Sequence, residues 1–185
     1  MKKEYRSVTK TKKRIRAAFV ELLGEKKHIE SIAVTELAAR ADIAKSTFYN
    51  HYSDVYAVAE EFENELTDQF SAAFEKMSHQ SETEYEGTIR KLIEFLKENE
   101  DIYRRAMLSS DVKFFIEKLK SVIAKNAFEN SVSLPFSTNK SKRYVQIRFL
   151  TNACVDTMVD YFRGAFAMSL DDVGTIIINF LKKMK

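Results

Sequence analysis

The chain has 185 residues, 45% hydrophobic and 31% charged, with a formal net charge of +3, a balance that fits a globular protein and excludes disordered or fibrous classes. One proline and four glycines leave few helix breakers, which predicts an all-α fold and argues against a many-stranded sheet. The single cysteine, Cys154, cannot form an internal disulfide, and no apolar run approaches the ~18 residues needed to span a bilayer. The opening Met1-Lys-Lys-Glu-Tyr-Arg has no apolar stretch behind its charges, so a cytoplasmic protein with no membrane contact is expected.

In chain order, Thr9 or Thr11 is placed to cap a first helix running to about Lys26, with Ile15, Ala18, Phe19, Leu22 and Leu23 on its buried face and Gly24 near its end. Residues 1–53 carry 12 Lys/Arg against 6 Asp/Glu, whereas residues 54–185 carry 18 against 21. Lys10, Lys12, Lys13, Arg14 and Arg16 crowd the basic end, where they suit salt-sensitive attraction to phosphates or a solvated basic tail.

Residues 32–52 spell two short helices about a four-residue turn. Val34, Leu37, Ala38 and Ala41 fall at i, i+3, i+4 and i+7, a narrow apolar stripe. Ala41-Asp42-Ile43-Ala44 makes the turn, with Asp42 suited to a left-handed backbone and Ile43 plugging the angle. The second helix is polar outside and anchored by Phe48. This is a helix-turn-helix, which points to DNA.

Ser53 or Asp54 then caps a long helix to about Met77, with Tyr56, Ala59, Phe62, Leu66, Phe70 and Phe74 on its apolar side. Its Glu60, Glu61, Glu63 and Glu65 read as a solvated acidic face. A polar link at 79–84 precedes helices at about 84–97, 100–108 and 111–128, and 129–140, with Pro135, is the clearest loop. Residues 144–168 and 173–184 form two helices apolar around more than one stripe, so a partner chain is expected to cover the surplus. Gly164 and Gly174 suit either close helix approach or terminal and tolerated positions. Ser169-Leu-Asp-Asp172 is a capping pattern. Arg148, Asn152, Asp156 and Asp160 form a polar stripe that suits solvent, a pocket wall, or an interface pair such as Asp160 with Arg163. Cys154 reads as an inert packed thiol. No catalytic constellation or metal-ligand spacing stands out, so neither enzymatic activity nor a metal or cofactor is expected.

At Ala38, Ala41, Thr47-Phe48-Tyr49 and His51-Tyr52 the chain resembles the TetR family of bacterial transcriptional regulators, whose helix-turn-helix typically reads I-T-V-x-x-I-A-x-x-A-G-V-S-x-G-T-F-Y-x-H-F. Asp42 replaces the usual turn glycine, Ala44 the Ser cap and Ala33 the Thr, while Ser53 and Val55 stand where lysines are frequent. The resemblance implies a three-helix DNA-binding domain at 1–53 and a helical effector-binding and dimerisation domain at 54–185.

Lys45, Ser46 and Asn50 suit base edges, and Thr47, Tyr49, His51 and Lys12 suit phosphates, with Tyr49 able to do either. The resemblance further implies an unidentified small-molecule effector in a pocket built from Phe70, Phe74, Tyr103, Met107, Phe115, Asn152 and Asp156, and a homodimer through residues 144–184. The function so implied is a ligand-responsive repressor on a palindromic operator. The alternative is a relative that does not bind DNA and serves as a protein-interaction adaptor or small-molecule binder.

Overall fold

The computed structural model describes residues 2–80, 85–108, 112–129 and 136–183. Among these residues every regular element is helical: α1 (Lys2–Lys26), a 3-10 turn (Ile29–Ser31), α2 (Val34–Arg40), α3 (Lys45–Tyr49), α4 (Val55–Gln80), α5 (Tyr85–Glu98), α6 (Glu100–Met107), α7 (Lys113–Glu129), α8 (Lys140–Phe162) and α9 (Leu170–Lys182). The all-α class predicted from the scarcity of breakers is the class observed. The helices form two compact units, one of residues 1–66 with 104–113 and the other of residues 67–103 with 114–185.

In the first unit the core is built from the stripe on α1. Ile15, Phe19 and Leu22 are fully buried, as are Leu37, Phe48 and Val58. Phe19 meets Phe62 edge-on at 5.9 Å between ring centres. Helix α1 begins at Lys2, upstream of the Thr9 or Thr11 cap expected from the sequence. Its first residues show no apolar stripe to announce a helix, yet Lys, Glu and Arg are good helix formers. Gly24 stays helical, and the chain turns at Lys27, whose φ is 65°.

Asp54 caps α4, as its Oδ1 accepts from the Ala57 amide at 2.8 Å. The helix runs three residues past the expected end at Met77, to Gln80.

In the second unit α5 packs against α9. Gly174 makes this approach possible: a Cβ there would stand 2.8 Å from Ile93 Cγ1. Two ion pairs flank the contact, Lys97 with Asp171 at 2.7 Å and Lys182 with Glu86 at 3.0 Å. Ser169 and Asp172 form the capping box that their spacing predicted, and Asn139 caps α8 by accepting from the Ser141 and Lys142 amides.

Helix α8 starts at Lys140 and ends at Phe162, against the expected 144–168. The apolar pattern that runs on through Phe166 misleads here, because the chain leaves the helix at Gly164, whose φ is 75°. That glycine meets no neighbour at its would-be Cβ, so its part is termination and not close approach.

Candidate DNA-binding interface

Helix α3 is five residues long and hangs on one anchor. Phe48 is fully buried, and its ring lies 5.6 Å from that of Tyr49 and 5.9 Å from that of Tyr52. Around that anchor Lys45, Ser46, Tyr49 and Asn50 are exposed, while Thr47 and His51 are half-buried. Lys45 and Tyr49 are one helical turn apart on the same face, with the ammonium 5.8 Å from the ring centre. The turn before them has the predicted form: Asp42 has a φ of 50°, and the Ile43 amide donates back to the Ala38 carbonyl at 3.0 Å. Both α2 and α3 start on alanine, Ala33 and Ala44, without a side-chain hydrogen bond to the first turn.

The basic segment of α1 divides into two kinds of residue. Lys10 and Lys13 are exposed. Lys12 instead donates to Glu61 Oε2 on α4 at 2.7 Å, with its ammonium 4.9 Å from the Tyr52 ring centre. Arg16 pairs with Glu61 and with Glu65, both at 2.8 Å. The acidic run on α4 is therefore not merely a solvated face, since two of its carboxylates hold α1. Burial alone would push the Glu61 carboxyl up, but the Lys12 hydrogen bond and the charges of Lys12 and Arg16 outweigh it and hold the carboxyl below its ordinary value. Burial, with the charge of Glu61, pushes the neighbouring Tyr52 phenol up.

Two further clamps brace the motif. Arg14 donates to both the carbonyl and the carboxylate of Asp42. Arg40 on α2 pairs with Glu21 and Glu25 on α1, and its hydrogen bond is the main cause holding the Glu25 carboxyl low. Sequence reasoning missed the α4 partners because they lie 45 and 49 residues from the cations they bind.

Most of the residues expected to line an effector pocket are buried. Phe70 and Phe74 stack at 6.2 Å, Phe70 meets Phe95 at 6.3 Å, Phe95 meets Tyr103 at 6.4 Å, and Tyr103 meets Phe162 at 5.6 Å. Phe115 is buried too, and Met107 is buried in the segment belonging to the first unit. The Tyr103 hydroxyl is buried without a hydrogen-bond partner, and burial pushes the phenol up. Asn152 Oδ1 is likewise buried and unpartnered. Asp156 lies at the surface and pairs with Lys120 at 2.8 Å. Cys154 is half-buried, and burial raises its thiol to about 11, which suits a packed and unreactive sulfur.

Of the apolar residues expected to meet a partner chain, Tyr144, Val145, Phe149, Ile176 and Phe180 are each more than half exposed. Ile147, Val155, Val159, Phe162, Ile178 and Leu181 are buried within the protomer. Among the described residues no cluster of His, Cys, Asp and Glu could hold a metal, and no helix is long and apolar enough to cross a membrane.

No curated protein matches the chain by sequence. Solved structures that share its fold over nearly the full length include the following three. The dihydroxyacetone kinase operon activator DhaS is 18% identical with a TM-score of 0.64, covering 94% of both chains. A protein from Mesorhizobium loti MAFF303099 assigned to the TetR-family transcriptional regulators is 14% identical with a TM-score of 0.65, covering 96% of both. The TetR-family repressor AlkX from Dietzia sp. strain DQ12-45-1b, implicated in n-alkane biodegradation, is 13% identical with a TM-score of 0.56, covering 92% of this chain and 97% of its own. At such identities the likeness establishes the fold. Residues 82–183 match the TetR-type family described as transcriptional regulator C-terminal region, more than half of the chain. The chain belongs to the TetR family of transcriptional regulators, whose members bind DNA and act as dimers.

Proposed function

We propose that the protein is a ligand-responsive repressor that binds a palindromic operator as a homodimer. Residues 1–53 supply the reading domain and residues 54–185 the effector and dimer contacts. The observation that carries this reading is the outward face of α3: Lys45, Ser46, Tyr49 and Asn50 stand exposed around the buried anchor Phe48. Lys45 offers a donor to guanine O6 and N7, and Asn50 a bidentate partner to adenine. Thr47, Tyr49 and His51 suit phosphate oxygens, which fix register. Lys12 joins the phosphate contacts to the extent that Glu61 releases it.

Dimerisation is assigned to the exposed apolar residues of α8 and α9, among them Val145, Phe149, Ile176 and Phe180. Ligand response is assigned to α4, which gives residues 55–66 to one compact unit and 67–80 to the other. A ligand that shifts this helix would alter the spacing of two reading heads that must meet half-sites one DNA turn, or a multiple of it, apart. By linkage, operator and effector then weaken each other by the same factor.

A second reading, an adaptor that does not itself grip DNA tightly, is favoured by the uncapped starts of α2 and α3 and by the internal pairing of Lys12. Titration of random duplex over a salt series separates the two. Direct DNA readers lose affinity steeply with salt, whereas a salt-insensitive or undetectable interaction favours the adaptor. A promoter–reporter assay with the intact protein then gives the sign of regulation.

A further inference from the structure

Helices α7 and α8 run antiparallel and are tied at two levels. Lys120 on α7 pairs with Asp156 on α8 at 2.8 Å, and Arg143 of α8 donates to the Ala127 carbonyl of α7 at 3.4 Å, with its guanidinium 5.6 Å from the Phe128 ring centre. Between these ties the helices do not close on each other. A cleft of about 340 Å³ remains, walled on the α7 side by Ala124, Lys125 and Phe128 and on the α8 side by Tyr144, Ile147 and Arg148. Two of the α7 residues that line it, Ser121 and Ala124, are small. The volume lies at the lower end of the range for small-molecule pockets.

The chemistry of the walls is mixed in a specific way. Phe128 and Tyr144 are 39% and 58% exposed, so two aromatic side chains border the cleft without being covered by the described chain. Lys125 and Arg148 bring two cations against the single carboxylate of Glu129, and neither cation forms an ion pair among the described residues. An apolar wall with surplus positive charge selects a ligand with a flat apolar body and an anionic end.

We propose that the α7–α8 cleft binds a small aromatic carboxylate, its ring against Phe128 and Tyr144 and its carboxylate held by Lys125 and Arg148. This names the ligand class for the effector response proposed above. It rests on that reading for the consequence on DNA, but not for binding itself. The site is distinct from the Phe70–Phe95–Tyr103–Phe162 aromatic core, whose rings are in contact with one another.

The test is a calorimetric titration of the full-length protein with 2-naphthoate and, in parallel, with uncharged 2-naphthalenemethanol. Saturable binding of the acid is expected, with the alcohol weaker by about tenfold or more, as the loss of a charge-assisted contact dictates. Arg148→Gln and Lys125→Gln should each weaken the acid by a similar factor and leave the alcohol unchanged. Ala124→Trp, which fills the cleft, should abolish both. If that variant fails to fold, the two charge variants decide the question alone.

No saturable binding of the acid at about 1 mM, equal affinity for acid and alcohol, or indifference to both charge variants would overturn the site. So would the finding that a second copy fills the cleft, seen as Tyr144→Ala changing the monomer–dimer equilibrium while naphthoate does not bind. Repeating an operator gel shift with naphthoate present separates the two levels. Binding without any change in operator affinity upholds the site and counts against the regulatory reading alone.

Discussion

Arg14 reaches from α1 to the residue that reverses the helix-turn-helix, its Nη2 donating to the Asp42 carbonyl at 2.6 Å and to the Asp42 carboxylate at 2.5 Å. Asp42 stands where the family usually has glycine, and a left-handed backbone costs a residue with a side chain roughly 1–2 kcal/mol. The short carboxylate offsets part of that cost by recruiting Arg14. Asp42→Gly should therefore change stability little, because relief of the backbone compensates for an exposed ion pair worth under about 1 kcal/mol. Asp42→Ala should lose up to about 1 kcal/mol, since it keeps the strain and drops the partner. Urea denaturation of the two variants gives the comparison, and equal losses would remove the left-handed turn as the reason.

On the reading face, Lys45→Ala and Tyr49→Ala should each weaken operator binding by about 1–3 kcal/mol if the side chain reads a base, with helicity and assembly unchanged. The ammonium of Lys45 lies over the Tyr49 ring, so the double variant should lose less than the sum of the single losses. Gel-shift titration with a cognate operator checks both statements. Unchanged affinity for both single variants would exclude α3 as the reader.

If Lys12 takes part in DNA binding as proposed, its pairing with Glu61 sets the carboxylate in competition with phosphate. Glu61→Gln should weaken the hold on Lys12 and raise affinity for random duplex, steepening the plot of log affinity against log salt by about one contact, a slope change near 0.9. Fluorescence anisotropy over a salt series reads this out, and an unaltered slope would show that Lys12 does not reach phosphate.

The same carboxylate predicts a pH dependence. Its folded value lies below the ordinary one, so its stabilising contribution is full above the unfolded carboxyl range and fades as pH falls through the lowered folded value. The stability gap between the parent protein and Glu61→Gln should thus be constant near neutrality and close below about pH 4. Denaturant midpoints at a series of pH values test the sign.

The proposed assembly through α8 and α9 makes Phe149→Glu or Phe180→Glu the informative change, because both side chains are exposed in the protomer. Either should convert a dimer into a folded monomer by sedimentation equilibrium, with the helical signal intact. Phe162, though on the same helix, is buried against Tyr103, and a charge there would damage the protomer itself. A parent protein that sediments as a monomer at micromolar concentration would refute the assignment.

The parts legible in the sequence were those fixed by short-range pattern. Val34, Leu37, Ala38 and Ala41 located α2, Phe48 identified itself as the anchor of α3, and Ser169 with Asp172 announced the start of α9. What escaped were pairings set by tertiary packing, such as Glu61 with Lys12 and Arg16, since a carboxylate looks the same in sequence whether it faces water or a cation from another helix. The end of α8 was overrun because Phe166 continues the apolar pattern beyond the turn at Gly164. Burial also reads alike for pocket and core. Phe70, Phe74 and Phe115 are buried, a state common to core residues and to the walls of a ligand cage, and the α7–α8 cleft has no counterpart in the apolar pattern of the sequence.

The first compact unit is not continuous along the chain: it takes in residues 104–113 as well as residues 1–66, and the Arg105 side chain lies alongside Gly24 of α1. During synthesis, the end of the reading helices at Tyr49 emerges from the ribosome about 55 residues before this closing segment begins at Arg104, and at roughly 5–20 residues per second the nascent unit waits seconds for its last piece. Over that interval it is incompletely packed and open to chaperones or proteases. The finished unit therefore depends on the protein having been translated well past the helix-turn-helix, so a message truncated soon after codon 66 would yield DNA-reading helices that lack part of their own support.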